Sequence, residues 1–140
     1  MTSAPESGPN VRTIEAIFKE FSRRESDLTF GSFDDEIVWD ARPLNVPALS
    51  AIYRGHDGVR LFWRTWYDAW ERIEVIEGPE HIPYGNQVVS WHRQRNVGKG
   101  SGITVEQDGC FIWTFENGRI VRVAVFRTRE DLLRAAGLEP

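Results

Sequence analysis

Two neighbouring segments, Cys110-Phe111-Ile112-Trp113-Thr114-Phe115 and Ile120-Val121-Arg122-Val123-Ala124-Val125-Phe126, are joined through Asn117-Gly118. That dipeptide adopts the left-handed conformations of a tight hairpin turn, so the two segments read as paired strands. Both strands are apolar on both faces. A sheet with one wet face alternates apolar and polar residues, so this hairpin must be covered on both sides. An open, half-solvated sheet is thereby excluded.

The rest of the chain supplies the cover. Val11, Ile14, Ile17, Phe18 and Phe21 recur at helical spacing and run out into the polar stretch Ser22 to Asp27, which predicts a first amphipathic helix. A short helical turn is expected from Leu28 to Phe33 and a strand from Glu36 to Arg42. Pro43 and Pro47 then impose an irregular loop as far as Tyr53. Gly55 and Gly58 bracket the entry to a second helix, whose Val59, Phe62, Trp63, Trp66, Tyr67 and Trp70 exceed one stripe and predict burial around most of its circumference. Strands are expected at Arg72 to Glu77, Gln87 to Val97, Ile103 to Phe115 and Arg119 to Arg127. Thr128 caps a last helix, Arg129 to Ala136, that stops at Gly137. The order defines an α+β domain: a cone-shaped, curved antiparallel sheet with helices packed on its concave face. A second subunit is expected over the other face, making a homodimer.

The length of 140 residues suits one domain with one core, expected over residues 11–138 behind a disordered leader, 1–10. A net charge of -4 with scattered basic residues argues against nucleic acid as a partner. No run is long and apolar enough for a membrane span, and the single cysteine, Cys110, sits beside Phe111 as a packed thiol in a reducing, cytoplasmic setting. Six Trp, eight Phe and three Tyr exceed the needs of an ordinary core and point to an aromatic-lined hydrophobic pocket, an interface, or both.

Within Ile37-Val38-Trp39-Asp40 alternation places Val38 and Asp40 on one face, read as the inner one. A buried carboxylate has a raised pKa and can accept a proton near neutrality; the alternative is a structural role, capping the following loop or pairing with an arginine. In the second strand of the meander Val89, Trp91, Arg93 and Arg95 share one face and Ser90, His92 and Gln94 the other; the resemblance given below implies that the first set points inward, and a one-residue slip reverses all of them. Arg93 is then either a partner of Asp40 and clamp for a ligand oxygen, or an arginine reaching solvent at the cone mouth. Arg127 is a further mouth position. His56, His81 and His92 lack metal-ligand spacing, so no metal is expected, nor any other cofactor. Gly98-Lys99-Gly100-Ser101-Gly102 links two strands instead of opening a helix and is a hairpin loop, not a phosphate loop.

With this element order, Phe33-Asp34-Asp35 leading into Ile37-Val38-Trp39-Asp40, Tyr53-Arg54-Gly55-His56-Asp57-Gly58-Val59, and Phe115-Glu116-Asn117-Gly118-Arg119-Ile120 resemble the nuclear transport factor 2-like superfamily. Within it they are most similar to the SnoaL-like and ketosteroid isomerase-like proteins, over Val11 to Leu138. The resemblance implies that Asp40 stands where ketosteroid isomerases carry their general base. It also implies a pocket walled by Phe18, Tyr53, Phe62, Trp66, Val89, Trp91, Phe111, Trp113 and Val125, with Arg93 and Arg127 toward its mouth. Two departures narrow the activity. Ketosteroid isomerases build an oxyanion hole from a tyrosine and a protonated acid, whereas this chain offers Phe18 and Lys19 near the first position and Phe111 at the second. Limonene epoxide hydrolase-like members pair an arginine with an acid two residues on, and here the sequence is Arg93-Gln94-Arg95. The expectation is a SnoaL-like, polyketide cyclase-like pocket protein. It uses a buried carboxylate for isomerase or cyclase chemistry on a small hydrophobic, polyketide- or terpenoid-like molecule, with a non-catalytic binding or accessory dimer as the rival.

Overall fold

The computed structural model describes residues 8–22 and 31–138; residues 1–7 and the first half of the turn expected at Leu28 to Phe33 lie outside these. Helix α1 (Pro9–Ser22) leads to strand β1 (Phe33–Asp40), a short 3-10 turn (Arg42–Leu44), strand β2 (Ile52–Arg54) and helix α2 (Gly55–Asp68). Strands β3 (Trp70–Tyr84), β4 (Gln87–Gly98), β5 (Thr104–Glu116) and β6 (Arg119–Phe126) follow, and helix α3 (Arg129–Ala136) ends the fold. The four expected meander strands and the last helix are all present. Thr128 accepts a hydrogen bond from the Asp131 amide at 3.1 Å, and Gly137 turns the chain at φ 73°.

Three elements differ from expectation. The loop before α2 contains β2, which pairs with β1 through Val38–Arg54 and Asp40–Ile52. Strand β3 does not stop at Gly78-Pro79; it continues to Tyr84, with its register shifted across that dipeptide. Helix α2 is one-sided, with Val59, Phe62 and Trp63 buried and Leu61 half exposed.

The sheet order is β2-β1-β6-β5-β4-β3. All neighbours are antiparallel except β1 and β6, which run parallel through Trp39–Val123 and Asp40–Ala124. One core lies on the concave side, where Ile14 and Ile17 of α1 and Val59, Phe62 and Trp63 of α2 meet Ile37, Trp39, Val88, Phe111, Trp113, Val123 and Val125 of the sheet. A hydrogen bond of 3.0 Å from the Tyr67 hydroxyl to the Phe21 carbonyl ties the two helices together.

A second, smaller cluster lies on the convex side. Leu132 is fully buried there against Val89, Cys110 and Ile112, with Trp91, Phe126, Ala136 and Leu138 around it. The two-sided hairpin is therefore covered within one chain. The argument that a second subunit must cover the outer face of the β5–β6 hairpin loses its basis, because α3 already packs on that surface. Among the described residues no helix is long and apolar enough to cross a membrane.

Candidate functional site

Alternation on β4 decides the site. Across β4 and β5 the pairs Val88–Trp113, Ser90–Phe111 and His92–Gly109 point to the concave side, and Gln94–Gln107 continues the row. Ser90, His92, Gln94 and Asn96 are all buried. This is the one-residue slip relative to the expected register. Val89 instead faces α3, Trp91 lies under Arg129, whose guanidinium carbon sits 5.0 Å from its ring centroid, and Arg93 pairs with Asp108 at 2.9 Å. The apolar members of β4 are buried on the convex face, so hydrophobicity alone could not tell the two faces apart.

The same inversion holds for β1. Ile37 and Trp39 enter the core, and Asp40 turns to the convex face. There its Oδ1 accepts from Arg42 Nε at 3.0 Å and from the Arg42 amide at 3.1 Å. Its Oδ2 accepts from Arg42 Nη2 at 2.9 Å and Arg122 Nη2 at 2.8 Å. The Arg42 fork holds the carboxyl below its ordinary value, outweighing the opposing effect of burial, and the charges of both arginines add to it. A raised-pKa base in the cavity was expected of Asp40, and the geometry is that of a saturated ion pair outside it. Asp40 and Arg93 do not meet.

A cavity of about 200 Å³ opens between the helices and the concave sheet. Phe18, Phe62, Trp66, Phe111 and Val125 line it as expected, joined by Phe21, Trp63, Tyr67, Ile73 and Val75. Tyr53 packs on Phe62 and donates to the Leu49 carbonyl at 2.8 Å, and Trp113 donates to Ser90 Oγ at 3.0 Å; both belong to the core around the cavity and not to its wall. Arg127 is exposed beyond β6 and is not a wall residue.

The polar side chains of the wall are His92, Gln94 and Gln107, while Asp108, which also borders the cavity, turns its carboxylate to Arg93 on the convex side. His92 Nε2 and Gln94 Oε1 are 2.6 Å apart. The imidazole lies over Gly109, where an added Cβ would fall on the ring, so glycine at this position makes room for it. Phe18 meets His92 edge-on at 5.5 Å and Phe111 stacks on it at 6.3 Å. Burial pushes the His92 pKa down, against smaller opposing effects from Gln94 and Asp108, so the ring is neutral at pH 7. Burial also opposes ionisation of Asp108, but hydrogen bonds from the Arg129 amide and from Arg93 Nη1 outweigh it and keep the carboxyl charged. Beyond Phe18, Ser90 Oγ accepts from Trp113 and lies 2.8 Å from His81 Nδ1 in a second hydrogen bond. Burial lowers the His81 pKa as well. Among the described residues no group of three or more His, Cys, Asp or Glu could hold a metal ion.

Of these groups the sequence reading missed His92, Gln94 and Gly109 as a unit. The signal was present in the polar alternation Ser90-His92-Gln94-Asn96, which a solvated face would explain equally well until α3 is seen to cover the other side.

An aromatic cavity between two helices and the concave side of a six-stranded cone is the arrangement of the SnoaL-like class. Residues 14–123 match the SnoaL-like domain family, and the chain belongs to that family. Solved structures with the same fold include TerC co-crystallised with polyporic acid, 20% identical with a TM-score of 0.74, covering 91% of this chain and 99% of that one. An NTF2-like protein from Burkholderia pseudomallei K96243 is 22% identical with a TM-score of 0.76, covering 91% and 96%. A candidate SnoaL-like polyketide cyclase from Jannaschia sp. CCS1 is 17% identical with a TM-score of 0.75, covering 100% and 99%. No curated protein matches the chain.

Proposed function

We propose that this is a SnoaL-like small-molecule protein whose concave cavity takes a compact, ring-bearing hydrophobic molecule of polyketide or terpenoid type and supports proton-transfer chemistry of the isomerase or cyclase kind. The observation that carries the reading is the cavity itself, walled by aromatic side chains with one polar corner at His92 and Gln94. Asp40 and Arg93 are not part of the proposal, since both are engaged on the convex face. Polyketide cyclase assignments among the fold neighbours, and the co-crystal of TerC with polyporic acid, support a ligand of this class. The rival, a non-catalytic binding module on the same frame, is favoured by one fact: among the described residues the one acid that borders the cavity, Asp108, turns its carboxylate away to Arg93 and the Arg129 amide. A homodimer through the sheet belongs to this reading only on β1 and β2, beyond the cluster that α3 covers, and the lone buried thiol of Cys110 fits a cytoplasmic setting.

Tryptophan fluorescence and melting temperature, measured against a panel of compact ring compounds that includes polyporic acid, test the reading. Saturable quenching with a rise in melting temperature is expected, because a ligand that binds only the folded state stabilises it. Val125→Phe, which fills the cavity at a typical overpacking cost of about 1–3 kcal/mol, should abolish binding while the protein stays folded. Binding of short, very polar compounds alone would refute it. Turnover of a bound compound separates enzyme from binding module.

A further inference from the structure

Gln94 and Gln107 stand directly opposite each other where β4 pairs with β5, and both border the cavity. Alternation fixes the side: Gln107 is two residues from Gly109, whose missing Cβ would point into the His92 ring, and four from Phe111 in the cavity wall. Opposed side chains of an antiparallel pair start about 5 Å apart, so the two carboxamides form one polar rung. Gln94 is buried and turns one end of its amide to His92 Nε2 at 2.6 Å. Gln107 is only half-buried, and its carboxamide has no partner among the described residues. Val75, which pairs with Gln94 from the β3 side, adds an apolar shoulder to the rung and nothing that can hydrogen-bond.

We infer that Gln107 is the specificity-determining residue of the cavity and selects a neutral ring compound that carries a hydrogen-bond donor and an acceptor side by side on one edge, as a lactam does. This rests on the pocket reading above. A primary amide presents its oxygen and one N–H on the same edge, and turning it over exchanges the two without removing either, so the match holds in both orientations. It holds for either tautomer of His92 as well, since Gln94 is the member of the rung that answers to that ring. Phe18, Trp66 and Phe111 supply the flat apolar contact for the ring itself. The ligand is neutral because the wall has nothing to balance an anion. Among the described residues no lysine or arginine borders the cavity, and Asp108, next to Gln107 in the chain, keeps its negative charge against Arg93. A carboxylate would lose its hydration and gain no counter-charge.

Two bicyclic ligands of the same outline decide it: 2-quinolone, with N–H beside C=O, and coumarin, in which a ring oxygen replaces the N–H. A third, 2-naphthoate, supplies the anion. Titrated calorimetrically into the full chain at neutral pH, 2-quinolone should bind about tenfold tighter than coumarin, the scale of one hydrogen bond made against one acceptor left unanswered. The carboxylate should bind weakest. In Gln107→Leu the ratio of the quinolone and coumarin affinities should fall to about one. The side-chain NH2 resonances of Gln107 should shift as 2-quinolone saturates the protein; that measurement and the wild-type titrations stand even if the variant fails to fold. Equal affinities for 2-quinolone and coumarin, tightest binding of 2-naphthoate, an unchanged ratio in a folded Gln107→Leu, or Gln107 resonances that stay in place at saturation overturn the inference and leave the pocket intact. Failure of all three ligands to bind overturns the pocket reading too.

Discussion

Gly109 and His92 are a pair in which one residue's absence of a side chain is the other's space. Gly109→Ala should therefore destabilise the protein by about 1–3 kcal/mol, the usual range for an overpacked core. The cost should shrink in a His92→Ala background, and a thermodynamic cycle from urea melts checks the coupling. Acid acts on two groups of residues in sequence. His81 and His92 have folded pKa values below the ordinary 6.5, so their unfolded forms take up protons more readily and stability falls as pH drops below about 6.5. Asp40 has a folded value below 3.8, so its contribution is complete above that pH and is lost only as pH falls through the lower folded value. His92→Phe should flatten the upper part of the stability profile alone. Asp40→Asn should lower the melting temperature by a few degrees at pH 7 and by less near pH 3, because Arg42 and Arg122 stand partly in water and their pairing is screened.

Strand β4 shows where reading residues in order stops working. Its boundaries, its partner β5 and the turn at Asn117-Gly118 were legible, as were Thr128 and Gly137 at the ends of α3, because turn and cap chemistry is local. Which face of β4 points inward was not. Val89 and Trp91 were read as wall residues, with Ser90, His92 and Gln94 on the other side; α3 reverses that by burying Val89 under Leu132. Trp39 and Asp40 were inverted for a similar reason, since the two arginines that make an outward carboxylate tolerable come from positions 42 and 122. Phe18, Phe62 and Trp66 border the cavity because they lie on the apolar stripes of α1 and α2, and Phe111 and Val125 because they pair on the concave face of β5 and β6. The role given to α3 has a direct check. Leu132→Ala should cost about 2–4 kcal/mol, as for other fully buried leucines. Ending the chain after Thr128 should expose Val89, Cys110 and Ile112 and produce an aggregating protein by light scattering.

At the scale of the whole molecule, the SnoaL-like frame and its cone were readable from element order, whereas the parallel pairing of β1 with β6 was not, since it joins segments that no turn connects. That pairing sets a timetable for synthesis. Asp40 must wait for Arg122, which leaves the ribosome 82 residues later, roughly 4 to 16 s at about 5–20 residues per second. During that interval the nascent β1–β2 ladder holds Ile37 and Trp39 with no sheet beside them, because among the described residues β6 alone connects it to the meander. Fragments released before Arg119 should be captured by chaperones or aggregate, and those extending past Phe126 should escape, so the last strand acts as the latch that commits the newborn chain to its cavity.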